Sequence, residues 1–184
     1  MINLPNFLII GAYSRNAGKT GFARQVIKQM NGNITALKVT VIKNEQFNCP
    51  RGGRSCGVCS SLESDFEISE EHNKNTGKDT SELLRAGAKR VLWLRVRENA
   101  VTKGMEELLK QIEILQPVIC ESNSIMKSVT PSLFFLLQAK SEQIKKKTAL
   151  VVEDRADLII RTDAESSNFD FSRLNFKNSQ WVLT

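Results

Sequence analysis

The most constraining feature of the chain is the stretch NFLIIGAYSRNAGKTGFARQVIKQM at residues 6–30. An apolar run enters a small polar turn, the turn closes on Gly18-Lys19-Thr20, and a helical pattern follows at once. Residues 7–12 are continuously apolar and preceded by Pro5, as expected of a strand buried on both faces. Phe22, Val26, Ile27 and Met30 then recur at i, i+4, i+5 and i+8, one stripe of a helix over 19–30. A strand, a tight turn and a helix in this order, closing on Gly18-Lys19-Thr20, read as a phosphate-binding loop; the alternative is a strand-turn-helix that only looks like one. Backbone N–H groups, the positive end of the helix and one lysine converge on a polyphosphate, while the threonine hydroxyl reaches Mg²⁺.

This spacing assigns Ser14, Arg15, Asn16, Ala17, Gly18, Lys19, Thr20 and Gly21 to a nucleotide, GTP or ATP, with Lys19 on the β- and γ-phosphates and Thr20 on the metal. Two positions depart from the commonest form, G-x-x-x-x-G-K-[ST]. Tyr13 stands where the first glycine is expected, and Gly11 lies two residues too early. Position 14, where one subclass carries a second lysine, is Ser14; Arg15 beside it is either a phosphate contact or a solvated arginine.

The remaining pattern alternates strands with helices. A second strand covers 34–40 and has Lys38 near its carboxyl end. Residues 41–78 lose both periodicities and read as an insertion. A short helix over 80–86, ended by Gly87, leads to a strand at 90–96. Val101, Met105, Leu108, Leu109, Ile112 and Leu115 fall on one helical face that Pro117 closes. Strands follow at 118–120, 132–138 and 158–161, with an ambiguous basic segment at 141–152 and an edge strand ending the tail at 181–183. The expected fold is α/β, a mostly parallel sheet in a single domain over 1–184, with ligands at the carboxyl ends of the strands. A length of 184 residues at 41% hydrophobic supports one such core.

The net charge of +6 suits an anionic ligand, but no dense basic stripe with interleaved aromatics points to nucleic acid. The amino end lacks a basic segment followed by a long apolar core, and no apolar run approaches the roughly 20 residues that span a bilayer, so no membrane association is expected and the expected location is cytoplasmic.

Three acidic or basic side chains are candidates beside the loop. Glu121 follows the apolar 118–120 and emerges at a strand's carboxyl end, where an acid completes a Mg²⁺ shell opposite Thr20; the alternative is a capping or surface glutamate. Asp79 is a second Mg²⁺ ligand or the N-cap of the helix that follows. Lys38 contacts phosphate or substrate, or it snorkels from a strand end. Lys19, Lys38 and Glu121 are the expected catalytic groups.

Cys49, Cys56 and Cys59 form a C-x6-C-x2-C array in a glycine-rich loop, a spacing that offers sulfur ligands to zinc or to an iron–sulfur cluster. His72, Cys120 or a partner's group is the candidate fourth ligand; a solvated His72 and a core Cys120 are the simpler readings. A redox thiol pair and unliganded cysteines are the other readings of the array.

With the loop, Lys38 and the block GKDTSELLRAGA at residues 77–88, the chain resembles molybdopterin-guanine dinucleotide biosynthesis protein B over roughly residues 6–140. The resemblance implies a P-loop NTPase fold with three α/β/α layers, of the class shared with dethiobiotin synthetase. It also implies GTP binding, a homodimer, and a helper role with a cofactor-maturation partner protein. This chain departs by having Lys38-Val39-Thr40 followed by the cysteine-rich insertion, where the family has histidines, and Glu121-Ser122-Asn123-Ser124 where the family has glutamate-glycine. Three functions fit these residues: an accessory protein in molybdenum or related metal cofactor maturation, with weak NTPase activity; an ATP-dependent synthetase or kinase of the dethiobiotin type; and a metal- or redox-sensing carrier that binds nucleotide structurally.

Overall fold

The computed structural model describes residues 1–43, 62–140, 145–163 and 166–184. The apolar run behind the polar turn is the long central strand β1 (Ile2–Ala12), and it leads through that turn into helix α1 (Lys19–Gln29). There follow β2 (Thr35–Ile42), β3 (Phe66–Glu70), α2 (Asp79–Arg85), β4 (Arg90–Arg97), α3 (Val101–Leu109), β5 (Val118–Glu121), β6 (Val129–Ala139), α4 (Lys147–Leu150), β7 (Leu158–Asp163), β8 (Ser166–Ser167), β9 (Leu174–Lys177) and β10 (Gln180–Leu183).

Among the described residues eight strands make one sheet, in the order β3-β4-β2-β5-β1-β6-β7-β8. The six inner strands run parallel; β3 and β8 close the two edges antiparallel. β5 explains the logic of the centre. Its four residues, Val-Ile-Cys-Glu, lie between β2 and β1 with both faces covered, so three are apolar and all four are buried. Alternate residues of β1 serve the two faces. Leu8 and Ile10 pack with Phe22, Val26 and Ile27 of α1 and Leu83 of α2, whereas Phe7 and Ile9 join Met105 and Leu108 of α3 and Ala149 of α4. The α/β class and the mostly parallel sheet follow the expectation from sequence.

Four local expectations need correction. The apolar stripe that runs to Leu115 does not make one helix: α3 ends at Leu109, the Arg90 guanidinium donates to the Gln111 carbonyl just beyond it (2.7 Å), and Ile114 and Leu115 are exposed. The region 41–78 is not without regular structure, since β3 pairs with β4 through Phe66↔Val96 to Glu70↔Leu92. Paired Arg–carboxylate contacts (Arg90 on Glu70, Arg95 on Glu67) align that edge. The tail strand β10 does not add to the main sheet; it pairs with β9 in a separate hairpin whose two-residue turn, Asn178-Ser179, has positive φ at both positions. Asp79 is the first residue of α2, not its N-cap, which is Lys78. No helix of the described residues is long and apolar enough to cross a membrane.

Candidate functional site

The carboxyl ends of β1, β2 and β5 open into a cleft of about 1050 Å³. Its lining includes the turn from Arg15 to Gly18. Asn16 (φ 60°) and Gly18 (φ 80°) both adopt the left-handed conformation, which glycine accepts at no steric cost and asparagine better than most residues. Gly18 occupies the N-cap of α1, no side chain caps the helix, and its first turn holds no acidic residue. The positive end of an eleven-residue helix is therefore at the cleft with no carboxylate of the helix's own first turn to compete.

The turn is held from three sides. Thr162 of β7, buried, donates its hydroxyl to the Ala17 carbonyl at 2.9 Å. The Tyr13 N–H donates to the Leu137 carbonyl (3.0 Å), and the Lys146 N–H to the Tyr13 carbonyl (2.6 Å). Tyr13 is itself buried: its hydroxyl donates to Glu153 at 2.5 Å, and the Lys145 ammonium lies 4.1 Å from the ring centroid. A side chain larger than the expected glycine thus belongs to the packing under the turn, not to the lining of the cleft.

Arg15, Asn16, Ala17, Gly18, Lys19, Thr20 and Gly21 line the cleft; Ser14 lies outside the lining. Lys38, Asp79 and Glu121 line it too, so the residues singled out around the loop are brought together. The Thr20 hydroxyl donates to Glu121 Oε2 at 3.3 Å. Glu121 is 6% exposed, and its second oxygen, Oε1, is buried with no hydrogen-bond partner among the described residues. Burial pushes the Glu121 carboxyl above the usual carboxylate range; the charges of Lys19 and Lys38 and the Thr20 hydroxyl pull the other way, and Asp79 adds to the rise. Lys38 forms an ion pair with Asp79, which ties β2 to the start of α2; β2 runs on to Ile42, so Lys38 stands in the middle of the strand and not near its carboxyl end as the sequence suggested. Arg24 and Glu82 join α1 to α2 at the cleft rim, 3.3 Å apart.

Among the described residues no three His, Cys, Asp or Glu side chains gather as metal ligands. Mg²⁺ needs no such cage, since one or two carboxylates, a hydroxyl and phosphate oxygens complete its shell. The unpartnered oxygen of Glu121 next to Thr20 fits that donor set. Cys49, Cys56 and Cys59 lie outside the described residues. His72 is exposed just beyond β3. Cys120 is wholly buried in the core, where burial raises its thiol pKa and holds it protonated.

Sequence reading missed Asn123, Lys146 and Thr148, which also line the cleft. Asn123 sits two residues after Glu121 and was open to notice; Lys146 and Thr148 carry no local signal, because the turn of the chain after β6 brings them back. No family model, curated protein or solved structure matches the chain.

Proposed function

We propose that the protein is a P-loop nucleotide-binding accessory protein, similar to molybdopterin-guanine dinucleotide biosynthesis protein B, acting in maturation of a molybdenum or related metal cofactor. The observation that carries this reading is the Glu121 carboxylate, buried at the end of β5, engaged by the Thr20 hydroxyl on one oxygen and unpartnered on the other, beside an uncapped helix start. A buried carboxylate oxygen without a partner is costly, and a divalent cation relieves that cost. In this reading the N–H groups of Asn16 to Thr20 and the Lys19 ammonium bind the β- and γ-phosphates. Thr20 and Glu121 hold Mg²⁺, with Asp79 in reach of the same cleft. Bound Mg²⁺ would neutralise charge on the terminal phosphate oxygens.

Lys38 is the cation available to the terminal phosphate or to a second anionic ligand, and recruiting it means parting it from Asp79. That exchange would pass nucleotide state from β2 to α2, and the cysteine-bearing insertion leaves β2 at its carboxyl end. Cys49, Cys56 and Cys59, with His72 as the candidate fourth ligand, are proposed to hold zinc or an iron–sulfur cluster. Elemental analysis and an absorption spectrum of anaerobically purified protein test this part, and substoichiometric zinc and iron would remove it.

Titration calorimetry with Mg-GTP and Mg-ATP tests the nucleotide reading. Wild type is expected to bind at least one of them, and Lys19→Ala to weaken binding by about 100-fold or more, the loss of a charge-assisted phosphate contact. A wild-type protein that binds neither overturns the proposal.

A further inference from the structure

Gly11 departs from the motif in position, and its surroundings show what it is for. A Cβ at residue 11 would lie 2.6 Å from Asn123 Oδ1, 2.8 Å from Phe134 Cε2 and 3.0 Å from Leu136 Cδ1. The glycine makes room for the Asn123 carboxamide. That carboxamide bonds both polar groups of the next residue: the Ala12 N–H donates to Oδ1 at 2.7 Å, and Nδ2 donates to the Ala12 carbonyl at 2.8 Å.

The location of this double contact gives it meaning. Parallel pairing of β1 with β5 stops at Ile10↔Glu121, with one further backbone bond from the Ser122 N–H to the Ile10 carbonyl (3.1 Å). Beyond that point Asn123 continues the ladder with its side chain, as a neighbouring strand would with its backbone. On the other side of β1 the register with β6 runs on to Ala12↔Leu137. The first residues of the phosphate turn are therefore clamped between β6 and a side chain belonging to the Glu121 segment. Since Thr20 follows from the turn and Glu121 precedes Asn123 by two residues, the clamp sets how far the hydroxyl and the carboxylate stand apart.

We infer that Asn123 is a positioning residue for the Mg²⁺ site, fixing Glu121 against Thr20 by gripping Ala12, with Gly11 as the small residue that admits it. The inference rests on the nucleotide-binding reading above. A pair of neutral hydrogen bonds is suited to the task because it adds no charge beside the metal and leaves the net charge of the site to Glu121. The Oδ1 and Nδ2 of Asn123 are both taken by Ala12, so its removal should affect mainly the metal-dependent part of binding.

The test measures GTP and ATP affinity of wild type, Asn123→Ala and Asn123→Ser with Mg²⁺ and with EDTA, alongside thermal unfolding. Asn123→Ala is expected to lower the Mg²⁺-dependent gain in affinity about tenfold while the metal-free affinity changes less than about threefold. Asn123→Ser, which keeps a hydroxyl able to serve one of the two Ala12 groups, should lie between, and it carries the test if the alanine variant does not fold. A proportional loss with and without Mg²⁺ would mark Asn123 as a structural residue only, and an unchanged Mg²⁺ gain in both variants would overturn the inference while leaving nucleotide binding intact. Failure of wild type to bind either nucleotide removes the parent reading and this one with it.

Discussion

The two walls of the cleft are built differently. On the β1–β6–β7 side the turn is fixed by neutral hydrogen bonds to its backbone, from Thr162 to Ala17 and from Asn123 to both groups of Ala12. On the β2 side the elements that line it are joined by charges, Lys38 to Asp79 and Arg24 to Glu82, and outside the cleft the pairs Arg90–Glu70 and Arg95–Glu67 join the β3–β4 edge in the same way. Neutral bonds in a packed interior are insensitive to salt and to pH between the carboxylate and lysine ranges, and are costly to break singly. Partly exposed ion pairs are weak, screened and exchangeable. The contrast teaches that one wall is suited to hold a ligand in a fixed place, and the other to change partners when the ligand arrives.

The largest effect expected on this contrast is the loss of nucleotide affinity in Lys19→Ala described above. Next comes Thr162→Val, which keeps the shape of the side chain but orphans the buried Ala17 carbonyl. It should cost about 1–3 kcal/mol in urea unfolding, and an equal stability to wild type would show that the turn does not depend on β7. Glu121→Gln separates function from stability. Because burial raises the Glu121 pKa, the ionised form strains the free protein at pH above that raised value and the strain is relieved as pH falls through it. The glutamine variant should therefore have a higher Tm than wild type at pH 8, a difference that shrinks on acidification, while losing the Mg²⁺-dependent gain in binding. A lower Tm at pH 8 would contradict the burial argument.

The smallest effect belongs to the charged β3–β4 edge outside the cleft. The hydrogen bond from Arg90 lowers the Glu70 pKa, so the stability it adds is present above the unfolded carboxylate value and disappears as pH falls through the lowered one. Glu70→Gln should cost about 0.2–1 kcal/mol at pH 7, less at high salt, and nothing once Glu70 in wild type is protonated. A pH-independent difference would locate its origin in packing.

How much of this was legible in the sequence follows the same division. β1, α1, β2 and β4 were readable because long apolar runs and a clear helical stripe reflect burial on two faces or one. β3 and β9 were not: five and four residues, half-exposed, leave too little alternation to register. Lys19, Thr20, Asp79 and Glu121 could be placed in one cleft from their positions at strand and helix ends, whereas Lys38 reaches the same cleft from the middle of β2. The ion pair between Lys38 and Asp79 and the clamp at Gly11 could not, because each joins residues far apart in the chain whose meeting depends on strand order. Tyr13 looked like a defect in the motif and is instead a buried support, a role set by Glu153 and Lys145 across the fold.

The indole of Trp181 donates its single N–H to the carbonyls of both Asn6 and Val118, at 3.0 and 3.1 Å, and is 2% exposed. It thereby seals the irregular register of β1 between Leu4 and Leu8, where the strand's own ladder with β6 is interrupted. The contact spans 175 residues of chain, so β1 cannot be closed until residue 181 has been made. Until then the central strand is unsealed, and contacts this distant in sequence are slow to form. A nascent chain arrested before residue 181 is thus expected to be far more open to proteolysis around residues 4–8 than one that includes the β9–β10 hairpin.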